Sequence, residues 1–287
     1  MLKADNNGLV LTPYGHMPAS DVVAVGAGEI VGVSNGRLVS KDIQSGAIVA
    51  DHGAVSEDAS SEDPRARAKR LCSEHLKAHG LSGDYLDVVY PGYFTSAGAT
   101  RVGRFSTTWV VPEYPHEPDE KTFFLWNGAD GGTLQPVLQW ANGLMGYTIA
   151  NWAFVGGYAV HSTFLPVEPK EVLTGVIKYV GRSASYWTFK QSFENFVEAD
   201  LTVERPNDIS SICQCFEATS NEPRHWPVNE YTAMSKINLV RREGVTTPAS
   251  LNWQISTTTK PPVTQSGKTT VIVSNSAVDG EIDFYFH

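Results

Sequence analysis

Two hydrophobic periods divide the chain. Over Pro64 to His79 (PRARAKRLCSEHLKAH), Ala68, Leu71, Cys72, His75, Leu76 and His79 recur at three- and four-residue spacing and fall on one helical face. Ser60 or Ser61 as cap, Glu62 and Asp63 beside the N-terminus, Pro64 early and Gly80 as the stop complete the signals of a helix. The pattern predicts that this helix lies outside the main body with Leu71 and Leu76 turned toward it. From about Tyr93 onward the period falls to two. Short β-branched and aromatic runs follow, at Glu171 to Val180, Ser185 to Ser192, Ala199 to Glu204, Ser235 to Val240, Ser250 to Ser256, Thr269 to Ser274 and Ile282 to Phe286. Their number, and the lack of helices between them, predict a mainly β fold, a two-sheet antiparallel β-sandwich of jelly-roll type over residues 96–287.

The first 55 residues read as a small N-terminal β unit. Asp21 to Val33 and Arg37 to Ser40 flank Ser34-Asn35-Gly36, where Asn-Gly supplies the positive φ of a tight hairpin. His52 to Asp63 is small, polar and acidic, a linker composition, so residues 56–95 are read as linker plus helix. Together with residues 1–55 they have the layout of a propeptide lying across a cleft, or of a separate module. Thr257 to Lys268 (TTTKPPVTQSGK) reads as one exposed loop.

Charge narrows the function classes. Against 22 Lys and Arg stand 31 Asp and Glu, a net charge of −9, which repels phosphate backbones and anionic membrane surfaces, so neither nucleic acid nor membrane is an expected partner. No run reaches the roughly 20 apolar residues of a membrane span. Met1 to Val10 lacks the basic start and apolar core of a signal peptide, and no Asn-x-Ser/Thr acceptor occurs, which leans intracellular. Cys72, Cys213 and Cys215 cannot form a disulfide framework.

Familiar chemical motifs are absent: there is no Gly-x-Ser-x-Gly elbow, His-Glu-x-x-His helix, Walker loop or complete Gly-x-Gly-x-x-Gly. Cys213-x-Cys215 with His225 has the wrong spacing for common zinc sites, and neither a metal nor another cofactor is expected. The informative segment is Phe123 to Trp140 (FFLWNGADGGTLQPVLQW). Its Trp126-Asn127-Gly128-Ala129-Asp130-Gly131 turn, followed by Val137-Leu138-Gln139, resembles the glutamic peptidases (eqolisins), which are secreted β-sandwich endopeptidases. Ser106-Thr107-Thr108-Trp109-Val110-Val111-Pro112 resembles that family's opening strand. Phe216-Glu217-Ala218, 78 residues after Gln139, stands where the family carries its catalytic Glu. The resemblance spans about Phe105 to Leu239. It implies a polypeptide substrate, Glu217 as general acid/base, Gln139 as oxyanion stabiliser, and Trp126, Asp130, Trp140 and Trp152 around the substrate.

Such a pair is chemically reasonable. Burial among aromatics raises the pKa of a carboxyl, which can then exchange protons with a water attacking a carbonyl. A Gln amide does not titrate and offers an N–H to the oxyanion at any pH. Thr148-Ile149-Ala150-Asn151-Trp152-Ala153-Phe154-Val155 departs from the family's Tyr-Asp-x-Trp-x-Glu-Trp run, having lost its acids, so the acidic optimum is not carried over. The alternative is a glycan-binding or polysaccharide-active sheet using exposed Trp126, Trp140, Trp152, Tyr147 and Asn151 to stack sugar rings.

Overall fold

A computed structural model describes residues 4–55, 62–81, 90–117, 121–141, 146–220, 222–255 and 268–286. The N-terminal strands are β1 (Leu9–Thr12), β2 (Gly15–Pro18), β3 (Val22–Ala24), β4 (Glu29–Ser34), β5 (Arg37–Asp42) and β6 (Ile48–Ala54). Helix α1 (Pro64–Ala78) follows, then β7 (Tyr90–Gly98), β8 (Val102–Val110), β9 (Phe123–Ala129), β10 (Leu134–Ala141), β11 (Gly146–Val155), β12 (Tyr158–His161) and β13 (Leu165–Val167). The chain ends with β14 (Val172–Arg182), β15 (Trp187–Phe193), β16 (Leu201–Arg205), β17 (Ser211–Ala218), β18 (Tyr231–Arg241), β19 (Gln254–Ile255), β20 (Lys268–Ser274) and β21 (Gly280–Phe286).

These strands form two large sheets and one separate hairpin, β1–β2. The first sheet runs β19-β7-β17-β9-β10-β11-β12-β3, with β13 also on β11; the second runs β20-β21-β18-β8-β14-β15-β16-β4-β5-β6. The mainly β two-sheet expectation is met, and every strand pair within Phe105–Phe286 is antiparallel. The two exceptions to antiparallel order involve the N-terminal strands: β3 joins β12 in parallel and β4 joins β16 in parallel. Residues 22–54 therefore extend one edge of each sheet. The Asn35-Gly36 hairpin forms as expected, with φ of 50° and 70° in the turn between β4 and β5.

The core follows from period-two alternation. Phe105, Trp109, Leu125, Leu138, Ile149, Ile177 and Phe216 point between the sheets and are buried. The same strands bury a second, smaller cluster on the outer face of the first sheet: Phe124, Trp126, Val137, Ala150, Trp152, Cys213 and Cys215. A sheet face this apolar needs a cover. The N-terminal region supplies it, with Tyr14, Met17 and Ala68 in the same cluster and Leu71 packed against it.

The cover is made of α1 and the β1–β2 hairpin. Cys72 and Leu76 of α1 pack with Leu9 of the hairpin, so Leu76 faces the hairpin while Leu71 faces the sheet. Ser60 and Ser61 lie outside the described residues; the cap is Asp63, whose carboxylate accepts from the Arg65 and Ala66 N–H groups at 3.0 Å each. Arg67, polar and so absent from any apolar stripe, is nevertheless buried, and its Nε donates to the Gly157 carbonyl in the turn between β11 and β12. Of the predicted strand Ser250 to Ser256, the described residues form a strand at Gln254–Ile255, and Ser256 and the expected loop Thr257 to Lys268, up to residue 267, lie outside the described residues.

Candidate functional site on the covered sheet face

Register fixes which side chains share the outer face. Glu217 pairs with Phe124, Phe124 with Gln139, and Gln139 with Thr148, so these four residues form one row across β17, β9, β10 and β11. Directly paired residues in an antiparallel sheet point to the same side. Glu217 and Gln139 therefore face the same way, but their strands are not neighbours, because β9 runs between them. Two strand spacings separate their backbones, about 10 Å. Both side chains must lean over the Phe124 ring to meet.

The row is polar and buried. Glu217 is fully buried, Gln139 is 4% exposed and Thr148 is 6% exposed. Oε1 of Gln139 and Oγ1 of Thr148 have no hydrogen-bond partner among the described residues. A buried polar group left unpaired costs about 1 to 3 kcal/mol, so side chains of this kind beside a carboxylate call for hydrogen-bond partners. Thr148 carries no signal in the sequence beyond its place in a strand, and was not among the expected site residues.

Trp126 orients the carboxylate. Its indole Nε1 donates to Glu217 Oε2 at 3.1 Å, and its ring lies edge-on to Phe94 at 6.3 Å between centroids. The ring fits because the following turn is glycine-rich: a Cβ on Gly132, whose φ is +93°, would stand 2.8 Å from Trp126 and 2.5 Å from the Gln135 amide. Asp130 holds that turn. Its Oδ1 accepts from the Ser210 and Ser211 N–H groups and the Ser210 hydroxyl, and its Oδ2 pairs with Arg205 at 2.8 Å. Asp130 thus ties the β9 end to the start of β17, away from the Glu217 row.

The two remaining expected residues divide. Trp152 lies on the outer face, against His161 and Phe164, in the same cluster as Trp126. Trp140 does not join them: it packs inside the sandwich on Phe123 and Tyr147. Being next to Gln139 in a strand, it must take the opposite face. Tyr147 also faces the interior, and the Asn151 amide donates inward to the Ala199 carbonyl at 2.5 Å. The aromatic platform expected for a glycan is therefore split between two faces, and Trp126, Trp140, Trp152, Tyr147 and Asn151 are all buried.

Glu217 has a second partner from the cover. The guanidinium of Arg65, in the first turn of α1, forms an ion pair with Glu217 Oε1. Tyr14, at the hairpin tip, meets Phe154 edge-on at 5.2 Å; burial holds its phenol far above the ordinary tyrosine value, opposed by the nearby Arg65 charge. Its hydroxyl too is without a partner among the described residues. Cys213 and Cys215 share the covered face, and burial pushes both thiols well up despite Arg65. Among the described residues no group of three or more His, Cys, Asp or Glu converges as metal ligands would.

No protein-family model matches this chain, and no curated protein matches it. Among solved structures, its fold is similar to scytalido-glutamic peptidase with a peptide-based transition state analog, at 13% identity and a TM-score of 0.43, covering 67% of this chain and 98% of that one. It is also similar to SCP-B, a member of the eqolisin family of peptidases in complex with the tripeptide Ala-Ile-His, at 12% identity and a TM-score of 0.42, covering 70% of this chain and 99% of that one. A third similarity is to the CBM2 module of an evolved Dit protein of Lactobacillus casei BL23 phage J-1, at a TM-score of 0.28 over 43% of this chain.

Proposed function

We propose that this protein is an endopeptidase-like hydrolase with Glu217 as general acid/base and Gln139 as oxyanion stabiliser, held closed by its own N-terminal cover. The observation that carries this reading is the buried polar row: a fully buried carboxylate, aimed by an indole N–H, with the buried Gln139 amide two strands away on the same face. With the cover lifted, a substrate carbonyl would occupy the space that the Arg65 guanidinium fills. Glu217 takes a proton from a water as that water attacks the carbonyl carbon. The oxyanion so formed accepts a hydrogen bond from the Gln139 amide. Glu217 then returns the proton to the departing amine as the C–N bond breaks, which leaves it ready for another turnover. Trp126 keeps the carboxylate aimed throughout.

The test is incubation of the full chain, Arg65→Ala, Arg65→Ala/Glu217→Gln and Arg65→Ala/Gln139→Ala with an unfolded protein from acidic to neutral pH, with peptides counted by mass spectrometry. Cleavage should appear or rise in Arg65→Ala and vanish in Arg65→Ala/Glu217→Gln, while Arg65→Ala/Gln139→Ala should lose about a hundredfold or more, the usual effect of one oxyanion donor. Cleavage by the Glu217→Gln double variant at the rate of Arg65→Ala overturns the assignment of Glu217. No cleavage by any of the four sinks the peptidase reading.

A further inference from the structure

A second chemical cluster lies at the other end of β17. Asp208 stands just before that strand and Glu217 near its far end, so roughly 20 Å of strand separates the two places. Here Arg101 from the turn between β7 and β8, Arg182 at the end of β14, Arg242 just past β18, and Asp208 surround an open cavity of about 550 Å³ walled by Tyr179 and Trp187. Three guanidiniums face one carboxylate, in a chain whose net charge is −9.

The arrangement of these cations is costly without an anion. The Arg182 guanidinium lies 4.4 Å from the centre of the Trp187 ring and that of Arg242 lies 4.5 Å from it, so one indole holds two like charges. Arg242 is also 4.7 Å from Tyr179, which fixes its plane. Asp208 pairs with Nη2 of Arg242 alone. Among the described residues the buried Nε of Arg242 has no hydrogen-bond partner, and Arg101 and Arg182 have no carboxylate partner. Arg101 sits at a positive φ of 53°, uncommon for a non-glycine, with its carbonyl accepting the Arg242 N–H at 2.9 Å. Backbone and aromatic rings thus hold the arginines together where electrostatics would separate them.

We propose that this cavity binds a dianionic tetrahedral oxyanion: sulfate, phosphate or a phosphate monoester. A carboxylate presents its acceptors in a single plane and would engage one arginine, as Asp208 engages Nη2 of Arg242. Donors converging from three separate strand ends, with more positive than negative charge, suit a ligand that accepts in several directions and carries two charges. The inference stands apart from the peptidase reading, since none of its residues touches the Glu217 row.

The test is isothermal titration of the full chain at low ionic strength with inorganic phosphate, inorganic sulfate and O-phosphoserine, the last separating an ester from a free ion. Saturable binding at one site per chain is expected for at least one probe. Arg101→Gln/Arg182→Gln, which changes exposed side chains, should weaken it about tenfold or more, while Asp208→Asn should tighten it by freeing Arg242. Circular dichroism confirms that each variant is folded. Absence of saturable heat with all three probes overturns the proposal, as does unchanged affinity in the double arginine variant or equal competition by chloride at the same concentration.

Discussion

Replacing Arg65 by alanine tests whether the cover is seated on the carboxylate, and the structure makes the effect asymmetric. In Arg65→Ala the Glu217 side chain, with no exposed surface, keeps the Trp126 indole as its hydrogen-bond donor. Breaking a buried ion pair from that side costs about 3 to 5 kcal/mol. The Arg65 side chain is 28% exposed, so water can follow into its place, and the expected loss is near the lower end, about 3 kcal/mol. Glu217→Gln is milder. The glutamine oxygen still accepts from Trp126, and the freed guanidinium can turn to solvent, for a loss of about 1 kcal/mol. The double variant should lose little more than Glu217→Gln alone, a coupling of about 2 kcal/mol or more. Urea unfolding of the four proteins at neutral pH and low salt measures this directly, with equal m-values required for the comparison. If Arg65→Ala costs no more than Glu217→Gln, the guanidinium is not compensating a buried charge and the closed-site argument fails.

Two further outcomes follow from the same face. All three thiols are buried, so an alkylating reagent should label the native chain slowly; Arg65→Ala should speed labelling of Cys213 and Cys215 but not of Cys72, because α1 and the hairpin that bury Cys72 lift as one piece. Labelling of Cys72 at the same accelerated rate, read by peptide mass spectrometry, would mean the helix unravels instead. Burial beside Trp152 and Phe164 holds His161 below the ordinary imidazole value, so the folded state favours the neutral ring. That contribution is complete above about pH 6.5 and is lost as pH falls below it, by up to about 1.4 kcal/mol per pH unit. His161→Gln should flatten the fall of Tm with pH on the acid side, and an unchanged slope would refute this.

What the sequence revealed was local. The α1 stripe, the Asn35-Gly36 turn and the alternating strands each depend on neighbours a few residues away, and each is present. Alternation also carries Glu217 and Gln139 to one face, and it assigns Trp140 to the other, since adjacent strand residues cannot share a side. Strand order is different in kind. Nothing near Gln139 or Glu217 tells that β9 runs between them, because that is decided by pairing across long stretches of chain. Arg65 was invisible for a related reason: on a helix it reads as a solvated charge, and only the docking of α1 onto the sheet gives it a buried partner. Arg67 was missed in the same way.

The parallel pairings of β3 with β12 and of β4 with β16 bear on the order in which the molecule assembles. β3 and β4 can take these parallel neighbours only once the chain has reached Ala159 and Thr202, and such distant closures form slowly because the intervening loop entropy must be overcome first. The antiparallel neighbours β9, β10 and β11 are close in sequence and can pair before either parallel edge exists. During folding the Gln139 and Thr148 part of the row is therefore assembled early, whereas Glu217 must close onto Phe124 across a long stretch of chain and arrives late. The interval between those two events is when the nascent sheet exposes its apolar outer face, and when a chain of this design is most open to aggregation or to premature contact with other polypeptides.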